Sequence, residues 1–446
     1  MNIVFYSSNS NVFLKDSFKF FHFPKHSDDL KKLCSLHPEH NFTVITNMPG
    51  YFLLDAEEIP ENLSNLKYKI LPALENSTFA ANSIANEILK VLPDIAIACT
   101  YWIPPFDWLG IEDALIAEEL KKQGIRTLSH TSLTQMTFFN KYETHLALKN
   151  NGFNVANAVY VNHELYWEER SKKEILHNVY KEYIFEQIKK LNFPVVIKDT
   201  TGLSSYGMEV AVSFKEAVHY LNLMKRDVLV EEFLSGIQAG TEIYGTDGDY
   251  KVMPPLIFSV NKYKITSPKQ SIKLGPVDYN AYNVSELNDT LTKLAKIFKF
   301  SGIAQVDLVF KNNKWFIIEV NPRLSGMTQT YCALQNITPI ELLYSIATKE
   351  KININLEDSK KKAINIKLPL QNFETLEKLT KHECVKKINQ IQNLMAKQER
   401  EKGYCELVLS KDALKNDELI KEIKELCTLY PEIESEEMWK HLTEIL

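Results

Sequence analysis

The feature that most constrains this chain is a pair of apolar runs, IAQVDLVF (Ile303 to Phe310) and WFIIEV (Trp315 to Val320), joined by KNNK. Two such runs with turn residues between them read as a β-hairpin. Side chains alternate faces along a strand, so Gln305 and Asp307 share one face of the first strand. Glu319 and Asn321 share a face of the second. With the turn at KNNK, Asp307 and Glu319 fall nearly opposite each other. Like charges repel in that position, and a divalent cation between them would remove the conflict. Carboxylate and amide oxygens suit a hard ion such as magnesium. A solvated edge hairpin is the competing reading, against which stand Ile317, Ile318 and Val320 around the acids. The second run ends as FIIEVNPRLSGMTQ, with Glu319, Asn321 and Arg323 spaced by two.

Two further stretches carry chemistry. In PVVIKDTTGLSSYGMEV (Pro194 to Val210), Lys198 ends an apolar strand ahead of a loop of Gly, Ser and Thr. Such loops can turn backbone N–H groups toward phosphate oxygens, with the lysine as a point charge beside them. The pattern is neither a P-loop nor a dinucleotide fingerprint, because the loop leads to a strand. An ordinary small-residue hairpin loop is the alternative. In DVLVEEFLSG (Asp227 to Gly236), an apolar strand ends in Glu231 and Glu232. A connection of this kind can offer backbone groups to a purine edge, or simply end a strand.

Around these stretches the chain alternates strands and helices. IVFY, FTVIT and DIAIACT read as strands, with helical patterns near Ala80 to Val91 and Glu112 to Gln123. Strands alternating with helices predict a parallel α/β sheet over residues 1–130. NKYETHLALKN reads as a helix, as does a charged segment from about Glu164 to Leu191. Leu287, Leu291, Leu294 and Ala295 fall at helical spacing. From about Lys351 the chain reads as lysine-rich and helical, with one strand at Tyr404 to Ser410. The run Lys360 to Lys362 reads as solvated surface.

The 446 residues allow two to four structural units. A net charge of −5 gives no basic field for nucleic acid. The six cysteines form no CxxC pair, so reduced buried thiols are expected rather than disulfides or zinc ligands. MNIVFYSSNS lacks the basic start and apolar core of a signal peptide. No run approaches 18 apolar residues, so no membrane partner is expected. These bounds predict a cytoplasmic, soluble protein of enzyme size.

The signals occur in a fixed order. Lys141 comes first, then Lys198 with its loop, then Glu231 to Leu234, then Asp307, then Glu319 and Asn321. In this order and spacing, from about Phe139 to Leu343, the sequence resembles the ATP-grasp superfamily of ATP-dependent carboxylate–amine ligases. The resemblance rests on NKYETHLALKNNGF, PVVIKDTTGLSSYGM, VLVEEFLSG, QVDLVF and FIIEVNPRLSG. It implies an α/β protein with α+β lobes, having an N-terminal domain (1–130), a small ATP lobe (131–235), a large lobe (236–350) and a C-terminal extension (351–446) packed on the large lobe. Lys141 and Lys198 would hold the ATP phosphates, and Ser204, Ser205 and Gly207 would close over them. Glu231 would meet the adenine amino group, and Glu232 and Leu234 would use their backbone on the adenine edge. Glu242 would hold the ribose. Asp307, Glu319 and Asn321 would bind magnesium, with manganese as a substitute.

Departures from related patterns narrow the expectation. D-alanine–D-alanine ligases carry an arginine two residues before the metal aspartate, where this chain has Gln305. The NPR version, with Arg323 two residues beyond Asn321, looks more like L-amino-acid ligases. Arg323 would hold a substrate carboxylate or steady an oxyanion, which makes it, with Lys198, the expected catalytic pair. The HEHATxxE pattern of biotin carboxylases is missing. Expected partners are a small-molecule carboxylate and an amine; the resemblance leaves the oligomeric state open and allows a homodimer, which is frequent in the family. His130 and His145 read as isolated structural histidines. Trp102, Phe106 and Trp108 read as residues that pack between domains, with lining of the substrate pocket as the alternative. The segment Lys262 to Lys273 reads as a solvated loop, although in this family Lys269 or Lys273 could reach the site.

Overall fold

The computed structural model describes residues 1–8, 18–47, 52–55, 60–72, 80–101, 108–168, 175–201, 208–260, 271–350, 361–397, 402–411, 416–431 and 434–445. Asn2–Ser7 is the centre of a parallel sheet in which Asn41–Asn47 and Leu66–Leu71 lie to one side and Ile95–Ala98 and Arg126–Leu128 to the other. Val4, Tyr6, Ile45, Ala96 and Ala98 face the helices Ala80–Leu89 and Trp108–Lys122. Ile3, Phe5, Val44 and Ile97 face the rest of the molecule and share a core with the helix Pro339–Thr348. Burial on both faces accounts for the near-continuous apolar runs of these strands.

A second sheet is antiparallel, in the order Ala158–Val161, Val228–Glu232, Val195–Asp199, Met208–Ala211. Its core includes Val161, Ile184, Val195, Ile197, Ala217, Leu221, Val228 and Val230. The charged stretch expected as one helix is two, His163–Trp167 and Val179–Ile188. The first stops at Glu168, which takes a left-handed conformation (φ 57°) that an α-helix cannot continue through.

The third sheet holds ten strands and includes the hairpin. Gly302–Lys311 and Lys314–Asn321 turn on Asn312 and Asn313, with φ of 51° and 60°. Two positive φ values are what a two-residue hairpin turn of the right twist demands, and asparagine tolerates them. Val306, Leu308, Trp315, Ile317 and Val320 pack on Leu287, Leu291, Leu294 and Ala295 of the helix Val284–Ile297. The opposite face of the hairpin is polar.

The C-terminal strands do not form a separate layer. Ile272–Gly275 pairs with Lys362–Leu368, which pairs with Gly403–Lys411, and that strand pairs with Val385–Asn393. The sheet therefore runs on from the large lobe through the C-terminal segment. Its far edge is Phe18–Phe23, a strand from the N-terminal part of the chain. Two of these strands, Lys362–Leu368 and Val385–Asn393, stand where the sequence predicts mostly helix. Lys362 is not solvated surface, since its ammonium donates to the Pro276 carbonyl and is half-buried. Among the described residues no helix is long and apolar enough to cross a membrane.

Candidate active site

The hairpin places its acids by register. Asp307 pairs directly with Glu319, and Gln305 with Asn321. The pairing shifts immediately after Asp307, so that Leu308 meets Ile317 and Ile318 is left as the extra residue of a bulge. The bulge resets the alternation, which lets Trp315, Ile317 and Val320 all enter the core while Glu319 and Asn321 face the other way. Four polar side chains thus share one face of two adjacent strands.

That face is charged and half-buried. Asp307 accepts from Gln305 Nε2 at 2.8 Å. Burial raises its carboxyl to about 6, the facing Glu319 adds to this, and Gln305, Lys273 and Arg323 oppose it. Burial works against ionisation of Glu319 too, but Lys141, Lys198 and Arg323 outweigh it and hold that carboxyl below its ordinary range. Asn321 Oδ1 lies 3.3 Å from the Arg323 guanidinium. The donor set is oxygen only, and one of its carboxylates is held short of a compensating charge. Those are the features a hard divalent cation would complete, so Asp307, Glu319 and Asn321 fit magnesium.

The two lysines arrive from other elements. Lys141 is the first residue of the helix Lys141–Asn150, whose N-terminus is capped by the Asn140 side chain. Its ammonium meets Glu319 Oε1 at 2.9 Å, and its backbone N–H donates to the Thr200 carbonyl at 2.7 Å. The start of this helix is thereby tied both to the hairpin and to the segment after Asp199. Lys198 is buried on the strand Val195–Asp199, and its ammonium meets Glu231 Oε2 at 2.6 Å across the sheet. His145 Nδ1 lies 3.8 Å from the same glutamate, so this histidine is not the isolated residue expected. Burial lowers its affinity for a proton despite Glu231. His130 does play a structural part, accepting from Ser301 N at 3.2 Å with its other ring nitrogen 2.9 Å from the Ile303 carbonyl.

The connection after Glu231 is fixed by side chains. Glu232 accepts from Asn192 through both backbone and side chain, at 2.9 and 2.8 Å, and from Asn157 at 3.1 Å. Its own N–H donates to the Asn157 carbonyl. Leu234 follows, half-buried. Ser204, Ser205 and Gly207 lie outside the described residues, as do Trp102, Phe106 and Lys269. Trp108 opens its helix largely exposed.

Glu242 does not have the setting expected of a ribose ligand, because it is buried with both carboxylate oxygens already taken up by hydroxyls of the protein. Its Oε1 accepts from Ser325 Oγ at 2.8 Å and Thr328 Oγ1 at 2.6 Å, and its Oε2 from the Tyr244 hydroxyl at 2.6 Å. Ser325 and Thr328 form the capping box of the helix Gly326–Gln335. Their hydroxyls accept from backbone N–H groups and donate hydrogen bonds to Glu242 Oε1. The carboxylate therefore fixes the helix start that follows Arg323. Burial raises Glu242 to about 7, against the bonds from Thr328, Tyr244 and Ser325 and the charge of Lys273.

Lys273 is likewise not in a solvated loop. It lies buried on the strand Ile272–Gly275, its ammonium 5.5 Å from the Phe258 ring centre. Sequence reasoning missed Lys367 and Glu406 altogether. Lys367 pairs with Glu406 across neighbouring strands, and Lys273 pairs with Asn365. Burial lowers Lys367 to about 8, with Lys273 and Arg323 lowering it further and Glu406 and Asp307 opposing. The available signal was the alternation of KAINIKL, in which Ile364, Ile366 and Leu368 enter a core while Asn365 and Lys367 share the other face.

Comparisons with known proteins bear on the fold. The family described as "D-ala D-ala ligase C-terminus" matches residues 148–339, which span the second sheet and the hairpin. The chain has the ATP-grasp fold. Among solved structures, the L-amino acid ligase from Bacillus licheniformis shares the ATP-grasp fold with a TM-score of 0.63 at 16% identity, covering 96% of this chain and 97% of that one. A carboxyaminoimidazole ribonucleotide synthase from Aspergillus clavatus, solved with ATP, has a TM-score of 0.61 at 12% identity over 97% and 99% of the two chains. Carbamoyl-phosphate synthase from Methanobrevibacter smithii is 25% identical over 195 residues, 43% of this ATP-grasp chain and 52% of that protein. The large chain from Clostridium botulinum is 26% identical over 174 residues, 38% of this chain and 16% of that one. The match thus spans about half the length of the first relative and less of the second.

Proposed function

We propose that this chain is an ATP-dependent ligase that joins an amino acid, through its carboxylate, to an amine, giving an amide, ADP and phosphate. The observation that carries the reading is the meeting of Lys141 with Glu319, which brings a phosphate-type lysine and a metal-type hairpin into one cleft. A carboxylate is a poor electrophile, and it is repelled by ATP because both are anions. Transfer of the γ-phosphoryl group to the carboxylate oxygen makes an acylphosphate and releases ADP. The amine nitrogen then attacks the acyl carbon, phosphate leaves with the C–O bond, and the nitrogen loses a proton.

The roles of the residues follow from their charges. Lys141 and Lys198 would exchange their carboxylate partners for phosphate oxygens. Glu231, Glu232 and Leu234 would hold the adenine. Magnesium, held by Asp307, Glu319 and Asn321, would neutralise the phosphates. Arg323 would orient the reacting carboxylate and steady the oxyanion formed on it. Ser204, Ser205 and Gly207 would shield the acylphosphate from water. Gln305 in place of an arginine, with Arg323 beyond Asn321, supports an L-amino-acid ligase over a D-alanine ligase. Six buried cysteines without disulfide partners support a reducing, cytoplasmic setting.

The test is a phosphate-release screen of amino-acid pairs with ATP and magnesium, read with mass spectrometry of the products. The reading expects ADP formation that depends on added amino acid, and a product mass equal to the two substrates less one water. ATP binding without ADP formation across the whole panel would overturn it.

A further inference from the structure

The polar face of the large sheet does not end at the hairpin. Gly240 pairs with both Asp307 and Leu256. Phe258, two residues beyond Leu256, pairs with Lys273; Lys273 pairs with Asn365; and Lys367, two residues beyond Asn365, pairs with Glu406. Direct partners and residues two apart share a face, so Asp307, Lys273, Asn365, Lys367 and Glu406 all face the same way. The helix Gly326–Gln335 closes over this face. Ser325 bonds Glu242, while the next residue, Gly326, lies against the Glu406 carboxylate. The sheet therefore curls enough to bring Glu406 within one turn of the residues that follow Arg323.

This region carries buried acceptor atoms without hydrogen-bond partners among the described residues. Glu406 is 3% exposed, and its Oε1 has no hydrogen-bond partner among the described residues. Asn365 is wholly buried and donates from Nδ2 to the Gly326 carbonyl at 3.3 Å and to Thr330 Oγ1 at 3.1 Å. Since a carbonyl can only accept, these bonds fix the amide orientation and leave Oδ1 as an unpartnered acceptor. Lys273 and Lys367 stand over the rings of Phe258 and Tyr404, and neither ammonium has an ion-pair partner among the described residues. Buried acceptors are normally satisfied. Here two acceptor oxygens and two ammonium groups lie on one face of the sheet with no hydrogen bond or ion pair between them among the described residues.

We propose that Glu406 and Asn365 form the subsite for the ammonium group of a substrate amino acid whose carboxylate lies toward Lys367, Lys273 and Arg323. The class of molecule follows from the charges, with an ammonium to supply donors to the orphaned oxygens and a carboxylate on the adjoining cationic side. This places the amino acid with its acid end toward the hairpin, as the carboxylate donor of the reaction. The inference rests on the ligase reading for the meaning of that end. It makes the C-terminal strands part of the active site.

The test compares binding of each of the twenty L-amino acids with that of its des-amino acid, by calorimetry in the presence of magnesium and a non-hydrolysable ATP analogue. At least one amino acid should bind tenfold or more tightly than its des-amino counterpart. Glu406→Gln should weaken that amino acid at least tenfold and leave the des-amino acid and the nucleotide within twofold. Lys367→Met should weaken both acids. Equal binding of amino and des-amino acids to the unaltered protein, or no binding of any amino acid, would overturn the subsite, and neither result depends on a variant folding. An unchanged affinity in Glu406→Gln would do the same. Amino-acid binding without ADP release would overturn the ligase reading and keep the subsite. Turnover of carboxylates that lack an amine would keep the ligase reading and overturn the subsite.

Discussion

Asp307 and Glu319 stand directly opposite each other on the hairpin, with Gln305 bonded to the aspartate and Lys141 to the glutamate. Two facing carboxylates are a cost in the metal-free protein and an asset once a cation binds. Asp307→Asn should therefore act in opposite directions on stability and activity. Without metal the variant should gain about 0.2–1 kcal/mol, the usual size of a cross-strand charge effect. Magnesium should raise the unfolding temperature of the unaltered protein and barely move that of the variant. ATP turnover should fall by about two orders of magnitude or more, as for loss of a strong electrostatic stabiliser. Thermal melts with and without magnesium, beside an ADP assay, check all three.

The Lys198–Glu231 pair is more buried, with side chains 5% and 12% exposed. Lys198→Met should leave Glu231 as an unpaired buried charge, at a cost of about 3–5 kcal/mol. Lys198→Met combined with Glu231→Gln should recover most of that loss, because no lone charge remains. ATP affinity should stay poor in both variants, since both lack the phosphate-type lysine. Urea unfolding of the single and double variants separates the stability effect from the binding effect. Additive losses in the double variant would refute the pairing.

The hairpin was legible because its signals are local. Alternation of period two, a turn with two asparagines, and acids at fixed spacing all lie within twenty residues. The environment of Glu242 was not legible, because Ser325 and Thr328 lie more than eighty residues away and only the fold brings them together. The C-terminal strands were missed for another reason. KAINIKL follows a lysine run, and VKKINQIQN carries lysine, asparagine and glutamine on positions that face a buried polar region, so neither looks like an ordinary core strand. Pairing of Phe18–Phe23 with Val385–Asn393 joins the two ends of the sequence, which no local pattern encodes.

Several buried acids tie stability to pH. Burial raises Glu242 and Asp113 to about 7, and Asp29 and Asp307 to about 6. In the unfolded chain these groups ionise near pH 4. From about pH 4 to 7 the folded state therefore holds more protons than the unfolded state, and this contribution to stability falls as pH rises. The contribution should level off above about pH 7. Glu242→Gln should reduce the fall between pH 5 and pH 8 by about 1–3 kcal/mol, the linkage expected for one such group. Its amide oxygen can still accept from Ser325 and Thr328, and its amide N–H can donate to the Tyr244 oxygen. Urea midpoints at pH 5, 6, 7 and 8 give the slope. A variant with the same slope as the unaltered protein would mean that Glu242 ionises at its ordinary pH.

Gly326 is required by the close approach of Glu406. A Cβ there would lie 2.8 Å from Glu406 Oε2 and closer still to Oε1. Those atoms are the far end of a flexible side chain, so the carboxylate can be displaced while the backbone stays. Alanine also suits the first turn of a helix better than glycine, by up to about 1 kcal/mol. Gly326→Ala should therefore fold with an unfolding temperature within a few degrees of the original. Its effect should fall on the amino acid, with KM rising about tenfold or more while KM for ATP stays within twofold. Shortening the displaced side chain with Glu406→Asp in the same protein should recover part of the loss, because the methylene removed makes room for the new methyl. Steady-state kinetics with each substrate varied in turn distinguishes these outcomes. A uniform loss across both substrates would point to a disturbed helix start rather than a displaced carboxylate.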